Sequence, residues 1–200
     1  EIYTLSLHDA LPICGNDTIY NYKSGDQIRM RRVDEDDETT FENFSVSGND
    51  VIINFTNNST ITLKDAGDQY IDLRELNYDN SWSGYDARYY STFGYVTISG
   101  GAATLNKKYD GYFRPSMYAE NPATIDASAV TNYMTIYGDD RVNVIHASKG
   151  GSSIFAGKGD DTIYCGDGND TIFHWSNGGN ETIYNYKSGD QIRMRRVDED

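Results

Sequence analysis

Two blocks in the C-terminal half share a register: Gly157-Lys158-Gly159-Asp160-Asp161-Thr162-Ile163-Tyr164 and Gly166-Asp167-Gly168-Asn169-Asp170-Thr171-Ile172-Phe173. A looser third copy reads Gly178-Gly179-Asn180-Glu181-Thr182-Ile183-Tyr184. Glycines at these positions permit turns with positive φ and leave carbonyls aimed at a common point. The acids beside the turns add carboxylates. Hard oxygens in that number suit Ca²⁺, which takes six to eight of them. The candidate ligands are the carboxylates of Asp160, Asp161, Asp170 and Glu181, and the turns of Gly157, Gly159, Gly166, Gly168 and Gly179. Asn143 stands at the acid's position two repeats before Asp161. The competing reading is that these are ordinary hairpin turns.

The elements that must hold such turns follow from the spacing. Ile145, Ile154, Ile163 and Ile172 recur every nine residues, and Asn143, Ser152, Asp161 and Asp170 precede them with the same period. Ile183 comes after eleven, which places a two-residue insertion near Trp175 and Ser176. Thr-Ile-Tyr reads as a three-residue strand with its middle side chain facing inward. Stacked strands of this kind line up isoleucines as a narrow core. Carboxylates about 5 Å apart on neighbouring coils repel by roughly 3 kcal/mol at an effective dielectric of 20. Repeated along the stack, that is comparable with the 5–15 kcal/mol or so of a whole small domain. A roll of this kind is therefore expected to be loose without a cation and to fold on binding one.

The blocks resemble the Gly-Gly-x-Gly-x-Asp-x-apolar-x nonapeptide of the RTX (repeats-in-toxin) family, a calcium-binding parallel β-helix repeat. Ala156 and Cys165 depart from its first glycine, and Asn143 and Ser152 from its acid. The resemblance implies that one coil spans two nonapeptides and that turns one coil apart share an ion. That pairs Asp161 with Glu181, Ser152 with Asp170, and Asn143 with Asp161. One to three ions are expected, with Asp161 and Asp170 the best ligands. It further implies a large secreted bacterial protein, with type I secretion as its route.

A longer repeat encloses the short one. Residues 15–36 and 179–200 agree at 21 of 22 positions, at an offset of 164 residues, differing only at Asp17 and Glu181. Asp17 is therefore a candidate ligand by its correspondence with Glu181. The chain reads as a window on tandem modules, whose partners are neighbouring repeats of the same chain. Residues 1–13 resemble the in-frame translation of a sequencing-library adapter, and Cys14 stands where the second copy has Gly178. Residues 1–14 are accordingly expected to be a foreign tail. Residues 41–47, 50–56, 60–64 and 69–73 alternate with period two between turn signals, as in an antiparallel meander. The expected organisation is all-β: a meander over 15–74, a Tyr-rich β segment over 75–137, a β-roll over 138–187, and the start of a further meander over 188–200.

Composition narrows the function. The net charge is −14, with 17 basic and 31 acidic residues, which excludes a phosphate-binding nucleic-acid module. No apolar run approaches the roughly 18 residues of a membrane span. Two cysteines make no disulfide framework, and Cys165 reads as a free structural thiol. His146 and His174 lack zinc-ligand spacing and are expected at the surface. Arg29, Arg31 and Arg32 followed by Asp34–Glu38 read as a solvated charge run. Tyr78, Trp82, Tyr85, Tyr89, Tyr90, Phe93 and Tyr95 read as cover for a thin β-core, with a glycan-binding patch as the alternative. No metalloprotease, nucleophile-elbow or phosphate-loop motif is present, so the chain is expected not to be an enzyme. The expected role is a calcium-binding repeat region, adhesin-like or of a surface layer. The alternatives are the repeat region of a secreted enzyme or toxin with its catalytic part elsewhere, or a glycan-binding module.

Overall fold

The computed structural model describes residues 11–12, 15–31, 39–76 and 85–196. They form two compact units, residues 1–94 and 95–200, built from strands and two short 3₁₀ turns. The foreign-tail assignment, the Asp34–Glu38 run, Tyr78 and Trp82 fall outside the described residues or almost wholly so.

The second unit is a β-roll of two parallel sheets. One holds the strands Ala102–Leu105, Thr124–Asp126, Val144–His146, Thr162–Tyr164 and Thr182–Tyr184, with Val96–Ser99 antiparallel at its outer edge. The other holds Tyr112–Phe113, Met134–Asp139, Ser152–Gly157, Thr171–Trp175 and Gln191–Arg195. The chain passes from one sheet to the other at every turn, so successive nine-residue repeats lie on opposite sheets. Ile125, Ile145, Ile163 and Ile183 stack in register in the first, and Ile136, Ile154, Ile172 and Ile192 in the second. Ile125, Ile136, Ile145, Ile154, Ile163 and Ile172 are fully buried between the sheets. Thr and aromatic neighbours alternate outward, as the period of two requires. Outside, His146, Tyr164 and Tyr184 stack ring on ring, as do Tyr137, Phe155 and Phe173.

The first unit uses the same plan with an insertion. Asn16–Ile19 pairs in parallel with Thr60–Leu63, and Ile28–Arg31 with Ile71–Leu76. Between the two coils lies a hairpin, Phe41–Ser47 and Asp50–Phe55, which continues antiparallel into Thr60–Leu63. Phe44, Val51, Ile53, Phe55, Ile61, Leu63, Ile71 and Leu73 are fully or almost fully buried in its core.

Three boundaries differ from expectation. Parallel coils begin at Ala102, well before residue 138, because the early coils close through longer turns that lack the glycine signature. The meander has three antiparallel strands. The fourth, Ile71–Leu76, crosses to the other sheet, where Tyr85–Ser91 joins it antiparallel and draws residues 85–94 into the first unit. Two aromatics of this segment meet the core: Phe93 stacks on Phe44 at 3.8 Å, and Tyr89 lies tilted against Phe41 at 4.1 Å.

Candidate metal centre

Three of the turns that join the two sheets share one bond. The side chain two residues before the inward isoleucine accepts the amide four residues earlier: Asp139 N to Asn143 Oδ1 at 2.8 Å, Ser148 N to Ser152 Oγ at 3.0 Å, Gly166 N to Asp170 Oδ2 at 2.9 Å. At two places a second bond ties one coil to the next. Asn143 N donates to Asp161 Oδ1 at 2.8 Å, and Asp170 N to Asp190 Oδ1 at 2.9 Å. The acids are thereby drawn inside: Asp161 is 1% exposed and Asp170 0%.

Glycine is required here for two reasons. Gly157 takes φ of +103°, as a turn glycine should. Gly166 and Gly168 have no positive φ. Their side-chain positions are filled by the preceding coil, since a Cβ would meet Ser148 O at 2.1 Å and Gly151 N at 2.3 Å. Backbone therefore packs on backbone, and carbonyls are crowded beside the carboxylates.

On one side of the roll the turns of Asn143, Asp161 and Glu181 stack. Asp161 Oδ1 is committed to the Asn143 amide, whereas Asp161 Oδ2 is buried without a partner. Burial pushes the Asp161 carboxyl up to about 6. The Asn143 amide opposes the rise, and the charges of Glu181, Asp139 and Asp160 add to it. Glu181 is held by His174, whose Nδ1 lies 2.5 Å from Oε2. Its other oxygen and the Gly157 carbonyl both border Gly178, within 3.4 and 3.2 Å of where a Cβ would stand. The register of Thr162–Tyr164 on Thr182–Tyr184 puts the turns of Asp161 and Glu181 on neighbouring coils, and the Glu181 charge bears on the Asp161 carboxyl.

On the other side stack the turns of Ser152, Asp170 and Asp190. Asp170 Oδ1 is likewise buried and unpartnered. Burial raises this carboxyl above its ordinary value; the Gly166 amide opposes, Asp190 adds, and Lys187 and the Ser152 amide oppose. Cys165, the substituted glycine, is free, buried and stacked beside Ala147. Its thiol lies with Asp170 and Asp190 in a group whose ligand atoms are all within 4.8 Å of one another. Burial, then Asp170 and Asp190, push the thiol up to about 11, so it stays protonated.

The remaining candidates divide. Asp160 is exposed, and its Oδ1 accepts from Asn180 N at 3.1 Å and Nδ2 at 3.0 Å, tying Gly159's turn to that of Gly179. Asn143 Oδ1 accepts one bond, from Asp139 N, and its Nδ2 donates to Ala123 O. Asp17 is exposed on the Asn16–Ile19 strand, outside any cluster of acids found among the described residues.

The chemistry of the donor set fits calcium. Two buried carboxylate oxygens have no hydrogen-bond donor, and an unpaired buried charge is costly. Glu181 bears on the first through its charge, and Asp190 lies beside Asp170. A bound calcium ion would supply two positive charges and six to eight coordination positions. Asp161, Glu181 and Gly157 would hold it on one side; on the other, beside Asp170, the Lys187 ammonium already lies against the Gly166 and Gly168 carbonyls and the Asp190 carboxylate.

Sequence reasoning misses three participants. Asp190 stands two residues before Ile192, as Asp170 stands before Ile172, but the coil from Asp170 to Asp190 is twenty residues long instead of eighteen. Asp190 therefore reads as part of a meander. His174 faces Glu181 because the two-residue insertion lies between them. Lys187 reaches the Asp190 carboxylate from within the same turn.

Residues 137–172 match the family model of the RTX calcium-binding nonapeptide repeat in four copies. Among solved structures, the chain is similar to the extracellular lipase LipA from Serratia marcescens, with 13% identity and a TM-score of 0.29, over 90% of this chain and 26% of the lipase. The chain thus spans about a quarter of that protein's length. No curated protein matches it. Among the described residues, no helix is long and apolar enough to cross a membrane.

Proposed function

The chain carries RTX-type calcium-binding nonapeptide repeats over residues 137–172, and from that premise we propose that it is a non-enzymatic, calcium-folded repeat region of a large secreted bacterial protein. The observation that carries this reading is the pair of buried carboxylate oxygens, Asp161 Oδ2 and Asp170 Oδ1, left without donors inside the roll. The roll stacks these acids along a core one isoleucine wide. Its folding is therefore tied to cation binding.

Calcium-dependent folding suits export, since extracellular modules bind calcium at about 10⁻⁴–10⁻³ M, above cytosolic levels. We assign the chain to the extracellular space, delivered by type I secretion, in an adhesin-like protein whose repeats adjoin one another. The duplicated segment supports that arrangement. Asn16–Ile19 pairs with a strand that follows it, and residues 182–195 pair with the strands that precede them.

Isothermal titration of the full chain with calcium tests the reading. Wild type should bind one to three ions, and Asp161→Asn combined with Asp170→Asn should lose them. Equal binding by both would refute it.

A further inference from the structure

The stacked turns 165–170 and 186–190 enclose a cation that belongs to the chain. Lys187 Nζ lies 2.7 Å from Gly166 O and 2.6 Å from Gly168 O. It also lies 3.1 and 3.4 Å from the two carboxylate oxygens of Asp190. These are the carbonyls of the Gly-x-Gly turn and the carboxylate of the coil stacked on it. The donor set is of the same kind as that of Gly157 and Glu181 on the opposite side. An ammonium has three protons to donate and no acceptor. Two carbonyls and a carboxylate use all three.

The turn that presents this ammonium is held by its own bonds. Lys187 N donates to Asp190 Oδ2 at 2.9 Å, Asp190 N to Lys187 O at 3.1 Å, and Tyr186 Oη to Asp190 O at 2.8 Å. The duplicated turn repeats all three, between Lys23 and Asp26 at 2.9 Å each way and from Tyr22 to Asp26 at 2.7 Å. The turn is thus the same in two surroundings. In the second copy its lysine additionally reaches the glycine carbonyls 19 and 21 residues upstream.

We propose that Lys187 is a tethered cation that occupies the Asp170–Asp190 turn pair in place of calcium, so that the last coil is set without metal. This rests on the calcium reading for the other turns. Asp190 and Asp170 place two carboxylates, and Cys165 a protonated thiol, around one ammonium. A single tethered charge offsets the carboxylate to which it is bonded. Its position on the chain makes its local concentration independent of the medium. Removing the ammonium leaves the Gly166 and Gly168 carbonyls and both carboxylates facing one another, which is a calcium site.

The test compares the full-length chain with Lys187→Met, which keeps the length and loses the charge. Amide exchange is followed at Asp170 and Gln191, whose N–H groups bond across this turn pair. In a chelator, wild type should protect both amides. Lys187→Met should exchange them roughly tenfold to a hundredfold faster, the range that a charge-assisted hydrogen bond is worth. Calcium should restore protection in the variant, with one more ion bound than in wild type by titration. The added ion should vanish in Lys187→Met/Asp190→Asn. Unchanged exchange in the chelator would overturn the proposal, as would an unchanged calcium count. If wild type binds no calcium at all, the calcium reading falls, yet the exchange comparison still decides what the lysine does.

Discussion

Ile28 and Ile192 are the same residue of a duplicated segment, yet Ile28 is fully buried and Ile192 is 49% exposed. Met30 and Met194 differ in the same way, at 4% and 67%. The strand Ile71–Leu76 makes the difference, pairing with Ile28–Arg31 and leaving no counterpart beside Gln191–Arg195 among the described residues. Tyr22 shows the same covering. Its hydroxyl accepts the Asp72 amide at 3.1 Å.

The two isoleucines should therefore respond differently to truncation. Ile28→Ala should cost about 2–5 kcal/mol, the range for a buried aliphatic. Ile192→Ala should cost less than about 1 kcal/mol, as for a half-exposed side chain. Urea unfolding of both variants measures this. In a chain extended beyond Asp200 by a further copy of residues 37–94, Ile192→Ala should become as costly as Ile28→Ala. That equality is what adjoining modules require.

Gly166 offers a test of coil packing free of backbone conformation. Its φ lies outside the left-handed region, so alanine there carries no conformational penalty. Its Cβ would nevertheless stand 2.1 Å from Ser148 O. Gly166→Ala should destabilise the calcium-loaded roll by about 1–3 kcal/mol, the usual cost of overpacking. Gly100→Ala, whose Cβ meets nothing within 4 Å, should show only the strain of its positive φ. Denaturant midpoints at saturating calcium separate the two.

The pH dependence follows from the direction of the Asp161 shift. Its carboxyl is raised from 3.8 to about 6 in the folded chain, so the fold binds this proton more tightly than the unfolded chain does. Asp161 therefore favours the metal-free roll at low pH, and that contribution is lost as pH rises between about 4 and 6. Asp170 has the same sign. Asp190 lies below its ordinary value: burial opposes this, but the Asp170 and Lys187 amides and the Lys187 ammonium outweigh it. Its contribution has the opposite sign and is lost only below the ordinary carboxylate range. Calcium needs the ionised form, so its affinity should fall as pH drops through about 6, with proton uptake on release. Titration in buffers of different ionisation enthalpy measures those protons.

The nine-residue register alone makes the roll and its principal acids legible in the sequence. Ile145, Ile154, Ile163 and Ile172 lie where the period puts them, on alternate sheets. The strands after Asp161 and Glu181 pair in register. The coils ahead of residue 138 are not legible, because their turns carry no Gly-x-Gly signal. Asp190 is hidden because its coil is twenty residues long, two more than a pair of nonapeptides. Gly166 reads as a positive-φ turn residue, whereas close approach of the neighbouring coil is what excludes a side chain there. Lys187 emerges only in three dimensions, because its partners lie 19 and 21 residues away.

The most direct measurement is far-UV circular dichroism of the full chain as calcium is titrated in, with magnesium as the control. A calcium-specific gain of β signal is expected, absent in Asp161→Asn/Asp170→Asn. A spectrum unchanged by calcium, or the same change in the double variant, would contradict it and leave the glycine turns as structure alone.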